Sequence, residues 1–335
     1  MQGERRTKNK AERFAFLIPN RNISSSKIVQ GECKGKRKAT NSIKQIDFKQ
    51  KQFEANVFFI IFAPKLLVMT LQKWIEDRAI HGFPTFSVED VRAADLCSSE
   101  QILQNELSRL CSNKTIASVY RGYYVIIPTQ YVLRGSVPAT YYIDQLMSYL
   151  QKPYYVCMLS AAEMLGAAHQ RPQQFSVMTT FPKRRVVSTR NVTIDWFYRD
   201  GLPEEALITK NTETGTIRIS NPLLTAADLV QYQQHVGGLS RVATILEELS
   251  EQIDINNQFA PLATYVKKVV WQRLGYILEN VVREKKLADE LYEQLRTSSG
   301  YFKYQPLSTS AENNPSSRDN RWKININVEI ETDDI

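Results

Sequence analysis

Two short helices followed by a β-hairpin are predicted between Ser87 and Pro128. The second helix is predicted to begin at Ser98, because this serine and Gln101 three residues later have the spacing of a capping box. Its apolar stripe, at helical spacing, consists of Ile102, Leu103, Leu107 and Leu110. Because the apolar stripe covers one side of the helix, we expect that side to pack on a core and the other side to be exposed.

The hairpin is predicted from two alternating runs, 115–120 and 123–127, which meet at the turn Arg121-Gly122. A further helix precedes them, from Leu71 to Ile80, and ends before Gly82 and Pro84. Three helices and a hairpin are typical of a winged helix-turn-helix. That fold binds DNA in some proteins and other proteins in others, so the pattern alone leaves both roles open, together with simple packing on a neighbouring domain.

The face of the second helix opposite its apolar stripe carries short or amide side chains and one arginine. Such side chains can hydrogen-bond base edges in a major groove, whereas a helix face exposed only to solvent more often carries Glu and Lys. With basic residues after the helix and at the hairpin turn, this predicts a set of DNA contacts. The set comprises Ser99, Gln101, Gln104, Asn105, Ser108, Arg109, Lys114, Arg121 and Tyr123.

The net charge of +8 comes from the start of the chain. Residues 1–68 hold 15 Lys and Arg against 5 acidic residues, and the remainder holds 28 basic against 30 acidic residues. This leader has a disordered composition, and the apolar run from Val57 to Val68 is too short to span a bilayer as a helix. We interpret residues 1–68 as a disordered or mis-annotated leader, with translation starting at Met69; the alternative is a basic arm with a small hydrophobic anchor.

A larger second domain, residues 138–335, is predicted after the winged helix-turn-helix at 69–130. Its pattern is a helical lead, mostly antiparallel strands and then long amphipathic helices, so the fold class is α+β. Thr225 and Asp228 are read as a capping box that starts a helix ending at Tyr232. The segment from Ser308 to Asn320 is predicted to be a mobile loop, and Arg321 to Ile330 to be a terminal strand that pairs with the sheet of this domain.

The sequence offers little for catalysis, so we expect neither an enzyme nor a bound cofactor, and assign no catalytic residue. No Walker A loop, GxGxxG, GxSxG or HExxH motif is present. Four cysteines without framework spacing are typical of reduced thiols in a cytoplasmic protein, and no metal site is expected. The weaker enzymatic alternative is a metal-dependent nuclease built from Asp195, Glu213 and Lys210.

Two further features have an ordinary and a functional interpretation. The basic run Lys183-Arg184-Arg185 is typical of a solvated turn, and could instead contact a DNA backbone or an acidic partner surface. The helices between Leu262 and Leu295 are predicted to be core elements. Trp271 falls outside their apolar stripe, however, and an exposed tryptophan there would suit a partner.

Several short motifs occur in a recognisable order between Met69 and Ile330. They are Arg121-Gly122-Tyr123-Tyr124 with Ile127-Pro128, Tyr154-Tyr155-Val156 with Ser160-Ala161-Ala162 and Gly166, Gly215 with Arg218-Ile219-Ser220 and Pro222, Thr225 with Asp228-Leu229, and Gln272-Arg273-Leu274-Gly275-Tyr276. In this order and spacing the chain resembles the AbiEi family, the antitoxins and transcriptional regulators of type IV toxin–antitoxin systems in bacterial phage defence. The leader takes no part in the resemblance.

The resemblance implies a function for each domain. The winged helix-turn-helix would bind inverted repeats in the promoter of its own operon and repress it. The C-terminal domain would counteract a nucleotidyltransferase-like toxin encoded alongside, and in that family this does not require a stable complex. The expected partners are therefore double-stranded DNA and the toxin, with direct contact to the toxin left open and no membrane partner. The competing interpretation is a protein-interaction module without DNA binding.

Overall fold

The computed structural model describes residues 69–135, 137–168, 172–183, 193–299, 301–312 and 317–331, which all belong to one compact unit. The predicted leader at 1–68 lies outside these ranges, and so does the run 185–188, whose β-rich sequence predicts one of the strands of the larger domain. Among the described residues, every helix is too short or too polar to cross a bilayer.

The first elements of this unit, which we call the helix–hairpin segment (residues 71–126), are three helices and three short strands. Its sheet has the order β1-β3-β2, and both pairings are antiparallel. Ile75, Phe86, Leu107 and Leu110 are buried between the helices and this sheet. The elements are α1 (Leu71–Ile80), β1 (Thr85–Ser87), α2 (Val88–Ala93), α3 (Glu100–Ser112), β2 (Ile116–Tyr120) and β3 (Tyr123–Ile126).

Helix α3 begins one residue later than its sequence predicts. Ser99, not Ser98, is the N-cap, and its hydroxyl accepts a hydrogen bond from the backbone N–H of Ile102 at 3.3 Å. Ile102 was assigned to the apolar stripe, but 46% of it is exposed. The buried stripe is Leu103, Leu107 and Leu110, the i, i+4, i+7 set that a single helix face accommodates.

The remaining elements surround a five-stranded sheet of order β6-β5-β4-β8-β7. The prediction of mostly antiparallel strands is wrong for half of the pairings, since β5–β6 and β4–β8 run parallel. The elements are α4 (Ile143–Tyr149), β4 (Tyr154–Val156), α5 (Met158–Leu165), β5 (Gln174–Thr180), β6 (Thr193–Arg199), β7 (Leu207–Thr212), β8 (Gly215–Ser220), α6 (Pro222–Gln231), α7 (Leu239–Ser250), α8 (Ile255–Gln258), α9 (Lys268–Asn280) and α10 (Lys285–Ser299). The fold is thus mixed α+β, as predicted.

Both faces of the five-stranded sheet are buried, and β4 shows how. Successive strand residues point to opposite faces. Tyr155 packs in the larger cluster with α6, α7 and α9, whereas Tyr154 and Val156 pack in a second cluster with α4. That second cluster also contains Val125 of the helix–hairpin segment and Ile127, the residue that follows it. The hairpin is therefore part of the core beneath one face of the larger sheet.

The C-terminal strand does not join the five-stranded sheet, contrary to the prediction. A separate small sheet of order β10-β11-β9 forms from Ser317–Asp319, Ile324–Ile326 and Gln305–Pro306. Strand β10 lies inside the segment predicted to be a mobile loop. The cause is Trp322, which is fully buried against α9 and donates from its indole nitrogen to Glu279 at 2.6 Å, so the strands on either side of it pair beside α9.

The motif Gln272–Tyr276 receives this C-terminal sheet. The amide of Gln272 donates to the backbone oxygens of Lys303 and Trp322 at 3.0 and 2.7 Å, and Arg273 Nε donates to Pro306 at 3.0 Å. Trp271, predicted as a possible exposed partner contact, is instead 1% exposed, with its ring 5.3 Å from that of Phe259. Helix α9 is buried nearly all round because the C-terminal sheet covers the face that the larger core leaves open.

Gly275 allows the close approach of Trp322, since a Cβ at this position would overlap the indole ring. We expect overpacking in Gly275→Ala to lower the free energy of unfolding by about 1–3 kcal/mol. The higher helix propensity of alanine should offset up to about 1 kcal/mol of this loss. Chemical denaturation of the full chain measures it. Gly201→Ala is the matched control, because a Cβ there meets no atom within 4 Å. Equal effects of the two substitutions would contradict this role.

Candidate functional site

The exposed face of α3 carries the amide side chains predicted to contact DNA. Gln101, Gln104, Asn105 and Ser108 are all exposed, and their spacing of i, i+3, i+4, i+7 places them on one side of the helix. Gln101 donates to Asn105 at 3.2 Å, and Gln104 donates to Glu100 at 3.3 Å. These exposed pairs hold the amides in a row, with both donors and acceptors on the face.

The other predicted DNA contacts lie near this row of amides, but they are not part of it. Ser99 caps α3, and Arg109 on the last turns donates to Glu106 at 2.7 Å. Lys114 is exposed at a positive φ just after the helix. Arg121 is exposed at the hairpin turn, beside the start of α2, because the neighbouring Gly122 oxygen accepts from the backbone N–H of Val88 at 2.9 Å.

Tyr123 lies inside the protein, not on its surface. It is 5% exposed, its hydroxyl donates to Thr85 Oγ1 at 2.8 Å, and its ring stacks on Tyr149 with centroids 4.6 Å apart. Burial raises the pKa of its hydroxyl, which keeps the group neutral. Because Tyr149 belongs to α4, this stacking ties the hairpin to the rest of the unit.

The charge around α3 is balanced. Residues 87–135 contain five basic and five acidic residues. Two of the arginines are engaged by carboxylates, Arg109 by Glu106 and Arg92 by Glu100, each at 2.7 Å. The face therefore offers hydrogen-bonding groups without a strong positive field.

A buried charge cluster behind the five-stranded sheet escaped the sequence interpretation. Arg199, the last residue of β6, donates to Asp228 on α6 at 3.0 Å and to Gln231 at 2.8 Å. The Asp228 side chain is fully buried and that of Arg199 is 12% exposed. Tyr155 on β4 donates to the other oxygen of Asp228 at 3.0 Å. The guanidinium also lies over the Tyr265 ring, 4.5 Å from its centroid.

Asp228 is not the helix-capping residue that its spacing from Thr225 predicts. Helix α6 begins at Pro222, three residues earlier, and its N-cap is Asn221, whose side chain accepts from the N–H of Leu224 at 2.8 Å. Thr225 is inside the helix and fully buried. A signal was present in the sequence, because Asp228 interrupts the otherwise apolar run from Ala226 to Val230, and such a position is costly for an unpaired charge.

The cluster has clear electrostatic consequences. Burial raises the pKa of the Asp228 carboxyl to about 6, against the opposing effects of Arg199 and of the hydrogen bond from Tyr155. Burial is the largest single effect on Arg199 and acts to lower its pKa, but the Asp228 carboxylate together with Tyr155, Tyr265 and Tyr232 outweighs it, and the pKa is raised. Burial also raises the pKa of the nearby Cys157 thiol well above its usual value. This thiol is therefore a poor nucleophile.

The residues of the nuclease alternative are not brought together. Asp195 lies on β6, whereas Lys210 and Glu213 lie on β7 and the turn after it, at the opposite edge of the five-stranded sheet. Four strand spacings of about 4.8 Å separate those edges. Within the described ranges, we also find no group of three His, Cys, Asp or Glu that could hold a metal ion.

Of the basic run, the structure describes Lys183, while Arg184 and Arg185 lie outside the described residues. Lys183 is exposed, and its Nζ lies 5.7 Å from the centroid of the Tyr198 ring. It therefore follows the end of β5 at the β6 edge of the sheet.

Because Arg199 and Asp228 form a buried ion pair, the stability that is lost on replacing Arg199 should depend on pH. The folded-state pKa of Asp228 lies above the 3.8 of an unfolded chain, so the folded state binds more protons, and the stability contribution of this carboxyl falls as the pH rises from about 4 to 6. Removing Arg199 removes a charge that lowers the pKa of Asp228, so the pH range over which this carboxyl loses stability extends upward. We expect Arg199→Met to lower the free energy of unfolding by about 3–5 kcal/mol near pH 8 and by much less near pH 5.5, measured by denaturation.

The control for this prediction is Arg199→Met combined with Asp228→Asn. This double variant has no titrating carboxyl, so its loss of stability should be the same at both pH values. A loss for Arg199→Met alone that did not change with pH would show that Asp228 is not the group responsible.

Comparison with known proteins assigns the domain that holds this cluster. Residues 154–280 match the family model of the AbiEi antitoxin C-terminal domain, from the start of β4 to the end of α9. The chain is also similar to the crystal structure of the RV2827C protein from Mycobacterium tuberculosis, with a TM-score of 0.57 and 11% identity over 76% of this chain and 89% of that one. At that identity the likeness shows a shared fold. No curated protein sequence matches the chain.

The matched range contains four of the five motif groups on which the resemblance rests, including Asp228 and Gln272–Tyr276. The AbiEi antitoxins are not a family of enzymes, and an antitoxin implies a toxin partner in general. The match confirms the resemblance: residues 154–280 are similar to the C-terminal domain of AbiEi antitoxins, which are components of toxin–antitoxin systems.

Proposed function

We propose that this chain is an autorepressing antitoxin: it binds repeats in the promoter of its own operon and counteracts a nucleotidyltransferase-like toxin. The observation that carries the DNA-binding half is the exposed amide row on α3, on a scaffold of three helices and a hairpin that precedes an AbiEi domain. The toxin-directed half rests on the family domain. No catalytic step is part of this proposal.

In this proposal the helix–hairpin segment is a winged helix-turn-helix within a DNA-binding domain at 69–130, and 138–335 is the antitoxin-type domain. Helix α3 enters the major groove, where Gln104 and Asn105 reach base edges and Arg109 exchanges Glu106 for a base or phosphate. The capping Ser99 and the flanking Gln101 and Ser108 complete this face. Lys114 and Arg121 contact phosphates, and Tyr123 holds the hairpin in place from inside.

Phosphate contacts supply most of the affinity of a DNA-binding protein, and the charge of residues 87–135 is balanced. Useful affinity would therefore require several copies on repeated sites. One copy that contacts phosphates mainly through Lys114 and Arg121 binds weakly. When several copies bind adjacent repeats together, their binding free energies add, and the overall affinity rises steeply. The basic run Lys183-Arg184-Arg185 is a further candidate for contact with the DNA backbone or with an acidic partner.

The charge balance also favours a second candidate function, a protein-interaction module without DNA binding. Its specific support is that Arg109 and Arg92 already have carboxylate partners. Leu133, in the loop after the hairpin, is 93% exposed and suits a protein partner.

DNA binding is tested with the full chain and the DNA upstream of its own gene, beside a scrambled sequence, at two salt concentrations. Gln104→Ala and Arg109→Ala should weaken binding to the native sequence by about 1–3 kcal/mol and reduce its preference over the scrambled DNA. Arg121→Ala should weaken binding to both sequences and reduce the salt slope by about 1. Fluorescence anisotropy measures both affinities.

The matched controls are Gln234→Ala and Arg296→Ala, which replace exposed side chains outside the helix–hairpin segment. Both should bind as the native chain does. Absence of specific binding by a folded native chain would favour the protein-interaction module. Unchanged binding by all three test variants would show that α3 and the hairpin turn are not the DNA-binding face.

Toxin neutralisation is tested by co-expression with the product of the adjacent gene. We expect the native chain to restore growth, and Arg121→Ala to restore it equally, because this arginine lies outside residues 154–280. Growth curves and reporter repression from the same cells separate the two activities. Loss of protection by a folded Arg121→Ala protein would contradict the assignment of neutralisation to the C-terminal domain.

A further inference from the structure

A pocket of about 420 Å³ opens where β6 ends, at the edge of the five-stranded sheet. It lies between the ends of β5 and β6, the end of α6 and the segment before α9. The side chains that the argument uses are Phe181, Tyr198, Arg199, Asp200, Tyr265 and Lys267. Its volume is in the range of small-molecule sites, about 300–1,000 Å³.

One side of this pocket is an aromatic wall. The rings of Phe181 and Tyr198 have centroids 5.7 Å apart and planes inclined by 33°. Phe181 is 49% exposed, so about half of this large apolar side chain faces solvent. A planar ring stacked on this wall would cover apolar surface that now faces water.

The other side is polar and rigid. Arg199 forms part of it, fixed by Asp228 and Gln231 and by its contact with the Tyr265 ring. Lys267 and Asp200 are exposed at the opening. The charge of Arg199 is balanced by the buried Asp228. Lys267 is the lysine that lines the pocket and can attract an anion, with Lys183 nearby over the Tyr198 ring, while Asp200 offers a hydrogen-bond acceptor.

We propose that this pocket binds a mononucleotide. The base stacks on Phe181 and Tyr198, the phosphate pairs with Lys267, and Asp200 accepts from a ribose hydroxyl or an exocyclic amine. Stacking of a base on an aromatic side chain and a nearby cation for the phosphate are the two contacts that nucleotide sites combine. An inorganic anion would leave the aromatic wall unused, and an apolar ligand would leave Lys267 unused.

The test is isothermal titration calorimetry of the full chain with AMP, GMP, CMP and UMP. At least one should bind with a dissociation constant below about 1 mM. Phe181→Ala and Lys267→Ala should each weaken binding about tenfold, which corresponds to about 1.4 kcal/mol. Phe83→Ala and Lys286→Ala are matched controls, since both replace exposed side chains outside the pocket, and they should leave the affinity unchanged.

Adenosine, inorganic phosphate and a single-stranded oligonucleotide complete the set of ligands. Weaker binding of the first two than of the mononucleotide supports the proposal. Phosphate binding as strong as the nucleotide, oligonucleotide binding without mononucleotide binding, equal effects of test and control variants, or no nucleotide binding by the folded native chain would each overturn it. Circular dichroism confirms folding of the variants. Because Phe181 and Lys267 lie outside the helix–hairpin segment, the effect of the two test variants is independent of DNA binding.

Discussion

A single buried carboxylate links several of the elements that pack around the five-stranded sheet. Asp228 is buried where α6 crosses the five-stranded sheet, and a charge in that position has to be paired and hydrogen-bonded. Arg199 of β6 and Tyr155 of β4 supply the partners, and Tyr265 covers the guanidinium from the segment before α9. Each contact fixes a different element relative to α6. The same contacts make Arg199 a rigid wall of the pocket at the edge of the sheet.

The hairpin has two structural roles. Its turn and the neighbouring α3 present the polar side chains proposed to contact DNA, while Val125 and Ile127 pack beneath the larger sheet with residues of α4. Tyr123 adds a ring stack with Tyr149. A hairpin anchored in this way does not rotate independently of the five-stranded sheet. The spacing of neighbouring copies on DNA would therefore be set by the shape of the whole unit from 69 onward.

Local signals in the sequence were sufficient for the helix–hairpin segment and insufficient for the contacts that complete the larger domain. The stripe of α3 and the turn at Arg121-Gly122 depend on residues a few positions apart, so they could be predicted closely. Asp228 could not, because its spacing from Thr225 also fits a helix cap and its true partners are 29 and 73 residues away. The position of the C-terminal sheet depends on the packing of Trp322 against Gly275, and local periodicity contains no information on that contact.

The two proposed binding sites adjoin different clusters of the core. The helix–hairpin segment packs with the cluster of Tyr154 and Val156, whereas the pocket adjoins α6 and the cluster of Tyr155. Strand β4 contributes to both clusters, because the hydroxyl of Tyr155 binds Asp228 while its neighbours along the strand pack with Val125 and Ile127. A displacement of β4 would therefore be felt in both clusters, which makes this strand the physical connection between them.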